Sequence, residues 1–330
     1  MAIKERPAPR LLVVGYNAWD TLVLLPRWPE PDTKLEVPRL VQGGGGPAAT
    51  AAVAAARLGA VVSLVTVLAD DPAGDWQRRE LAAAGVDLSR CPAAPGAATP
   101  LAVSLVDPAD GGRRILWRRG SLPPLDPARV DPAWLDDHDL LLCDTHEPAA
   151  AQVLARAARE RGKPVVLDAG TPRRGVPELA ALCSDVIASE HYPGQATGLE
   201  DPLAALRRLA AALPGRVAVT CGARGVVWWE EGRPRHRPAF AVAAVDTTGA
   251  GDVFHGAYAV ARAEGRPLPA ALDFAAAAAA LACRDLGGRA ALPERREVAE
   301  LLARGRRRAD RPAWLPADDP REVDGTGPAD

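Results

Sequence analysis

No cysteine pair stands at metal or redox spacing in this chain. Cys91, Cys143, Cys183, Cys221 and Cys283 are scattered, odd in number and contain no CxxC. That argues against a zinc site or a disulfide framework and predicts mostly buried thiols in a cytoplasmic protein. The histidines do not pair at ligand spacing either. There is no long apolar run: Leu11–Val14, behind a charged and Pro-containing start, is far too short for a signal or spanning helix. No sign of charge dominates, with 40 Lys+Arg against 42 Asp+Glu and a net charge of -2. Neither nucleic acid nor membrane is therefore predicted as a partner. A GxxxxGK[ST] run is missing, which excludes a P-loop kinase. Lysine is scarce beside arginine, a bias we read as compositional. There is no internal repeat.

What is present can fold. The 330 residues are 48% hydrophobic and 25% charged, enough to bury a large core. Apolar runs at Leu11–Gly15, Val61–Val67, Leu140–Cys143, Val165–Asp168, Val186–Ala188, Val217–Thr220 and Val226–Trp229 read as strands. Helical patterns lie between or after them, at Ala48–Leu58, Asp75–Ala84, Ala149–Arg161, Pro202–Leu213, Val253–Arg262, Ala270–Arg284 and Arg295–Arg304. This alternation predicts an α/β fold, a mostly parallel sheet with helices on both faces. Thr21–Leu40 and Thr99–Gly120 break the rhythm with extended, alternating patterns, and Asp110-Gly111-Gly112 reads as a hairpin turn. They predict a small β-sheet lid (21–40 and 99–120) on a main domain made of 1–20, 41–98 and 121–308. The Pro-rich, acidic end, 309–330, reads as a flexible tail.

The run Asp246-Thr247-Thr248-Gly249-Ala250-Gly251-Asp252 opens the Val253–Arg262 helix. Small residues there let backbone N–H groups converge at the positive end of a helix, beside the Asp252 carboxylate. Phosphoryl transfer needs such a pair, donors for developing charge and a base for the attacking hydroxyl. An ordinary Gly-rich loop capped by Asp252 fits the same geometry, so both readings stay open on that loop alone. Gly43-x-Gly45-x-x-Ala48 formally matches a dinucleotide fingerprint. However, it follows the suspected lid rather than the first core strand, and Pro47 interrupts the turn.

Taken together, four segments resemble the ribokinase-like (PfkB) carbohydrate kinases. They are Gly15 with Asp20, then Gly43-Gly44-Gly45-Gly46-Pro47-Ala48-Ala49-Thr50, then Thr220-Cys221-Gly222-Ala223-Arg224-Gly225, and lastly Asp246–Asp252 continued as Val253-Phe254-His255-Gly256. They stand in the family's order across roughly Leu11–Arg304. The wording of the first and last signatures most resembles the sulfofructose kinase branch, with ketohexose kinases as neighbours.

The resemblance implies an ATP-dependent sugar kinase that uses Mg²⁺. Asp252 would be the general base, and the N–H groups of Gly249, Ala250 and Gly251 the anion hole. Asp20, Lys34, Gly44, Gly45, Gly46, Thr50 and His146 would meet the acceptor. Ser189, Thr220, Gly222, Gly225 and Ala276 would meet the nucleotide. Asp246 and the carbonyls of Thr248, Ala282, Asp285 and Gly288 would hold a monovalent cation such as K⁺. The family's Asn-x-x-Glu motif corresponds here to Ser189-Glu190-His191-Tyr192, which leaves Glu190 to order Mg²⁺ through water. Exposed lid strands imply a homodimer. Two other readings are a nucleoside kinase, with Trp19 and Trp117 lining the acceptor site, and a catalytically silent sugar-binding regulator.

Overall fold

The apolar runs assemble into one sheet because each is buried on both faces, as parallel strands covered by helices must be. The computed structural model describes residues 7–107 and 112–316. Asp110 and Gly111 of the suspected turn, and the tail from 317, lie outside the described residues. Across the nine-stranded sheet the order is Arg233–Arg237, Val226–Glu230, Arg216–Thr220, Asp185–Ser189, Val165–Ala169, Leu140–Cys143, Arg10–Val14, Val61–Val65 and Val86–Asp87. All neighbours from Arg216–Thr220 onward are parallel. The first two strands are antiparallel additions at one edge.

Alternate residues of Arg10–Val14 serve two cores. Leu11 and Val13 pack with the helices Pro47–Arg57, Ala250–Ala263 and Leu268–Ala282. Leu12 and Val14 pack on the other face with Pro148–Glu160 and Pro202–Ala212. Chain order reverses on either side of Arg10–Val14, so a crevice opens at the carboxyl ends of that strand and Leu140–Cys143. Open α/β sheets bind ligands at such a crevice.

The second sheet has four strands in the order Arg39–Gly45, Ala18–Leu24, Leu101–Val106 and Arg113–Arg118. Its first two strands in the chain overrun the expected 21–40 at both ends, while Leu101–Val106 and Arg113–Arg118 lie within 99–120. Ala18–Asp20 and the glycines through Gly45 belong to it, because Asp20 pairs with Gly43 and Ala18 with Gly45. Register then sorts its two faces. Asp20 lies opposite Gly43 and Ala102, and Ala102 opposite Trp117, so these share one face. Buried Leu22 and Val106 lie on that face too and pack on Leu286 of the main body. The other face leaves Leu40, Leu101, Val103 and Leu116 exposed.

The chain's end differs from expectation up to residue 316. Leu315 is buried, and Trp314 Nε1 donates to Glu190 Oε1 at 3.0 Å. Two aromatic or aliphatic side chains with somewhere to pack outweigh the Pro-rich composition of that segment.

Candidate active site

Gly249 adopts φ 74 and caps the helix Ala250–Ala263, a left-handed conformation that favours glycine. A Cβ on Gly249 would meet Gly288 Cα at 2.8 Å, so the residue also permits a close backbone approach. Asp246 sets the loop from below: Oδ1 accepts from Thr248 N (2.9 Å) and Thr248 Oγ1 (2.8 Å), and Oδ2 from Gly287 N (2.9 Å). The Ala250 N–H points back to Thr247 O at 3.3 Å. The N–H groups of Gly249, Gly251 and Asp252 make no hydrogen bond to any described residue. Two of the three expected donors, Gly249 and Gly251, are thus free, and Asp252 stands in place of Ala250, which is drawn into the turn. A Cβ at Gly251 would have open space within 4 Å.

Asp252 stands in the first helical turn and is half-buried. Burial, reinforced by the negative charge of Asp168, pushes its carboxyl up to about 7, against the pull of His255 and Arg113. Asp168, at the end of Val165–Ala169, is pushed to about 8 by burial and by Asp144. His255 lies one turn below Asp252. Its Nδ1 is 2.6 Å from Gly251 O and 3.3 Å from Asp168 Oδ2, and its Nε2 is 3.1 Å from Ile187 O.

Across the cleft, Asp20 lies against Gly45, where a Cβ would come within 2.0 Å of Asp20 Oδ2. Burial pushes its carboxyl up to about 6, while Arg289 lowers it and Glu80 raises it. Arg289 itself is enclosed: Nε donates to Thr50 Oγ1 (3.2 Å), Nη1 to Glu80 Oε2 (3.1 Å) and Nη2 to Gly45 O (2.8 Å). Gly44 N also donates to Glu80 Oε2, at 3.1 Å. The glycine run therefore makes room for Asp20, Glu80 and Arg289. The Gly44 N–H and the Thr50 hydroxyl are engaged with that ion pair, and a Cβ on Gly46 would strike the Tyr16–Asn17 backbone. Nothing in the glycine pattern announced Glu80 or Arg289, which lie on another helix and in a loop.

At the sheet's switch point Asp144 accepts from Tyr16 N (2.7 Å) and His146 N (2.8 Å). His146 stacks on Tyr16 at 4.2 Å between centroids, and its Nδ1 has no hydrogen-bond partner among the described residues. The Nε of Arg173, just past the Val165–Ala169 strand, is likewise buried and unpartnered. Arg173 and Arg119 both act on Tyr16 and His146 electrostatically.

A second cleft of about 210 Å³ joins the anion loop to the nucleotide candidates. Thr220, Gly222, Gly225, Phe240, Ala276 and Gly251 are among its walls. Gly225, at φ 91, lies so close to the next strand that a Cβ would strike Arg237 O. Of two larger hollows near Arg57 and Arg295, one is bordered by Arg289, and neither is lined by Asp20, Asp252 or the nucleotide candidates.

The pfkB family carbohydrate kinase pattern matches residues 9–295. The chain belongs to this family. It is 29% identical to the ribokinase of Haemophilus influenzae, covering 88% of this chain and 98% of that one. It is 32% identical to the ATP-dependent ribose-1-phosphate kinase of Halopiger xanaduensis, covering 89% and 98%. The structure of Arabidopsis thaliana ribokinase complexed with ribose and ATP overlays with a TM-score of 0.75 at 27% identity, covering 89% and 99%. An ATP-dependent carbohydrate or nucleoside kinase of the ribokinase type is what these findings support.

Other expected residues of this pfkB-family chain fall out unevenly. Ser189 Oγ donates to Gly170 O (2.9 Å), and Thr220 Oγ1 to Ala188 O (3.3 Å). Glu190, expected to order Mg²⁺ through water, has Arg224 on one carboxylate oxygen and Trp314 on the other. Among the described residues no three His, Cys, Asp or Glu cluster as a metal cage. The Asp285 side chain pairs with Arg39 at 2.6 Å, leaving only its carbonyl for a monovalent cation. Lys34 is exposed in the connection between the strands Ala18–Leu24 and Arg39–Gly45. Trp19 lies on the face opposite Asp20 and packs edge-on against Trp76 (4.6 Å), which removes it from the acceptor side. No described helix is long and apolar enough to cross a membrane.

Proposed function

We propose that the chain transfers the γ-phosphoryl group of ATP to a hydroxyl of a small sugar or sugar derivative. The observation that carries this reading is the juxtaposition of three free N–H donors, from Gly249, Gly251 and Asp252, with a carboxylate in the same helical turn. Asp252 takes the hydroxyl proton as the oxygen–phosphorus bond forms and the bond to ADP breaks. The free N–H groups meet the charge developing on the transferred group. Asp20, with the hydrogen-bonding groups around Arg289, positions the acceptor on the lid side. The apolar cleft beside Ala276 takes the nucleotide, with Thr220, Gly222 and Gly225 near its phosphates and ribose. Mg²⁺, when bound, neutralises the nucleotide phosphates. A K⁺-like ion fits the carbonyls of Thr248 and Gly288, which flank Gly249 beside the buried Asp246 carboxylate.

Two relatives are named for ribose and for ribose 1-phosphate, so a pentose is the first acceptor to test. Unpartnered Arg173 Nε and His146 Nδ1, with Arg119 beside them, favour an acceptor that carries an acidic substituent. This agrees with the motif-level likeness to the sulfofructose kinase branch. A nucleoside is the second reading, favoured by Trp117, which is 59% exposed on the Asp20 face and free to stack on a base. The outward apolar patch of Leu40, Leu101, Val103 and Leu116 supports a homodimer through the lid, and use of ATP supports a cytoplasmic location.

ADP release measured across pentoses, ketoses, their phosphates and nucleosides tests the reading. We expect turnover with at least one sugar and a loss of roughly 100-fold or more in Asp252→Asn. Near wild-type turnover by that variant overturns Asp252 as the base. Ligand binding without ADP formation for every acceptor identifies a silent binder instead.

A further inference from the structure

Every atom facing the His255 ring nitrogens is an oxygen. Nδ1 faces Gly251 O and Asp168 Oδ2, while Nε2 faces Ile187 O. A neutral imidazole carries one N–H, so either tautomer leaves one lone pair directed at a carbonyl oxygen. Both nitrogens are satisfied when Nε2 carries one hydrogen and a second lies between Nδ1 and Asp168, either on the carboxyl or on the ring, which then needs a negative partner. Asp168 supplies one. The same Asp168 is a difficult neighbour for Asp252, because two buried carboxylates at close quarters resist ionising together. We propose that His255 and Asp168 hold one proton between them beneath the loop, so that Asp252 is the carboxylate left ionised to receive the acceptor's proton.

The surroundings agree. Burial pulls His255 toward the neutral ring, and Asp252 and the two carbonyls pull it back. Asp252 also faces Arg113 and Asp20 from the lid sheet, and Arg289 from the loop after Leu268–Ala282. Asp144 faces Asp168 from the neighbouring strand. The cations among these are committed elsewhere. Arg113 Nη1 donates to Thr247 Oγ1 at 2.8 Å, and Arg289 is held by Glu80. His255 is the cationic candidate that contacts Asp168 directly. It acts through Asp252 and Gly251 rather than on substrate, which makes it a positioning residue. By donating to Gly251 O it also fixes the peptide that carries the Asp252 N–H.

The inference rests on Asp252 being the base, and its test separates the two claims. The ¹⁵N shifts of the His255 ring, measured in the full-length wild-type protein without ligand at pH 7, report protonation directly. Two protonated nitrogens, or one nitrogen in fast exchange with Asp168, are expected. A single neutral tautomer with an ionised Asp168 overturns the proposal, whatever the kinetics of Asp252→Asn. The pH profile of kcat/KM adds a directional check. Asp168→Asn should move the rising limb to lower pH, and His255→Asn to higher pH, each by roughly one unit. Shifts in the same direction, or a change in acceptor KM alone, also defeat it.

Discussion

Two glycines in one loop answer different demands. Gly249 needs its positive φ and lies against Gly288, so Gly249→Ala should lower stability by about 2 kcal/mol or more, read by chemical denaturation. Gly251 has an ordinary helical backbone and open space before it. Gly251→Ala should leave the melting temperature unchanged while cutting kcat roughly 100-fold, because the added methyl occupies the approach to a free N–H. Asp252, pushed to about 7, sets a pH dependence of definite sign. As the proposed base it acts only when ionised, so kcat/KM should rise with pH, reach half its maximum near pH 7 and fall away below it. A limb centred near pH 4 would show an unperturbed carboxylate. At this scale the sequence revealed the loop because its residue types sit side by side. It concealed Asp168, Glu80 and Arg289, since their proximity to Asp252 or Asp20 is made by folding and no local spacing encodes it.

Among the elements, apolar runs and helical periodicity marked the parallel strands and long helices, because a strand buried on both faces has no polar alternative. The edge strand Arg233–Arg237 carried no such mark. It is a polar stretch with Pro234, tolerable there because one side lacks a neighbour. The small sheet was legible as an interruption, but its boundaries were not. Glycines that look like a turn run on as a paired strand up to Gly45. That sheet is clasped to the anion loop by Arg113, and to the loop after Leu268–Ala282 by Arg39 and Leu286. Arg113→Gln should therefore lower kcat/KM about tenfold and raise the share of ATP hydrolysed without phosphorylating the acceptor. The ratio of ADP to sugar phosphate measures that share.

For the molecule as a whole, one buried carboxylate joins several elements far from the chemistry. Asp185, fully buried, accepts from Tyr258 Oη (2.7 Å), Arg262 Nε (3.2 Å), Arg216 Nη1 (3.1 Å) and Ser184 Oγ (2.8 Å). It ties the helix that carries Asp252 to two sheet strands. Asp185→Ala strands those donors and should destabilise the fold by about 3–5 kcal/mol, measured by urea unfolding. Acceptor KM in the protein that remains folded should change little.

Asp20 is carried by the small sheet and Asp252 by a helix of the main body, and on the proposed function the acceptor's place lies between them. The separation of the two carboxylates acts as a gauge. A polyol of the right span touches both and is held for reaction. A water molecule reaches Asp252 but has no second hydroxyl to present at Asp20. On this reading ATP is spared wasteful hydrolysis because the guest is measured for length, and one that fails the measure is not held in line.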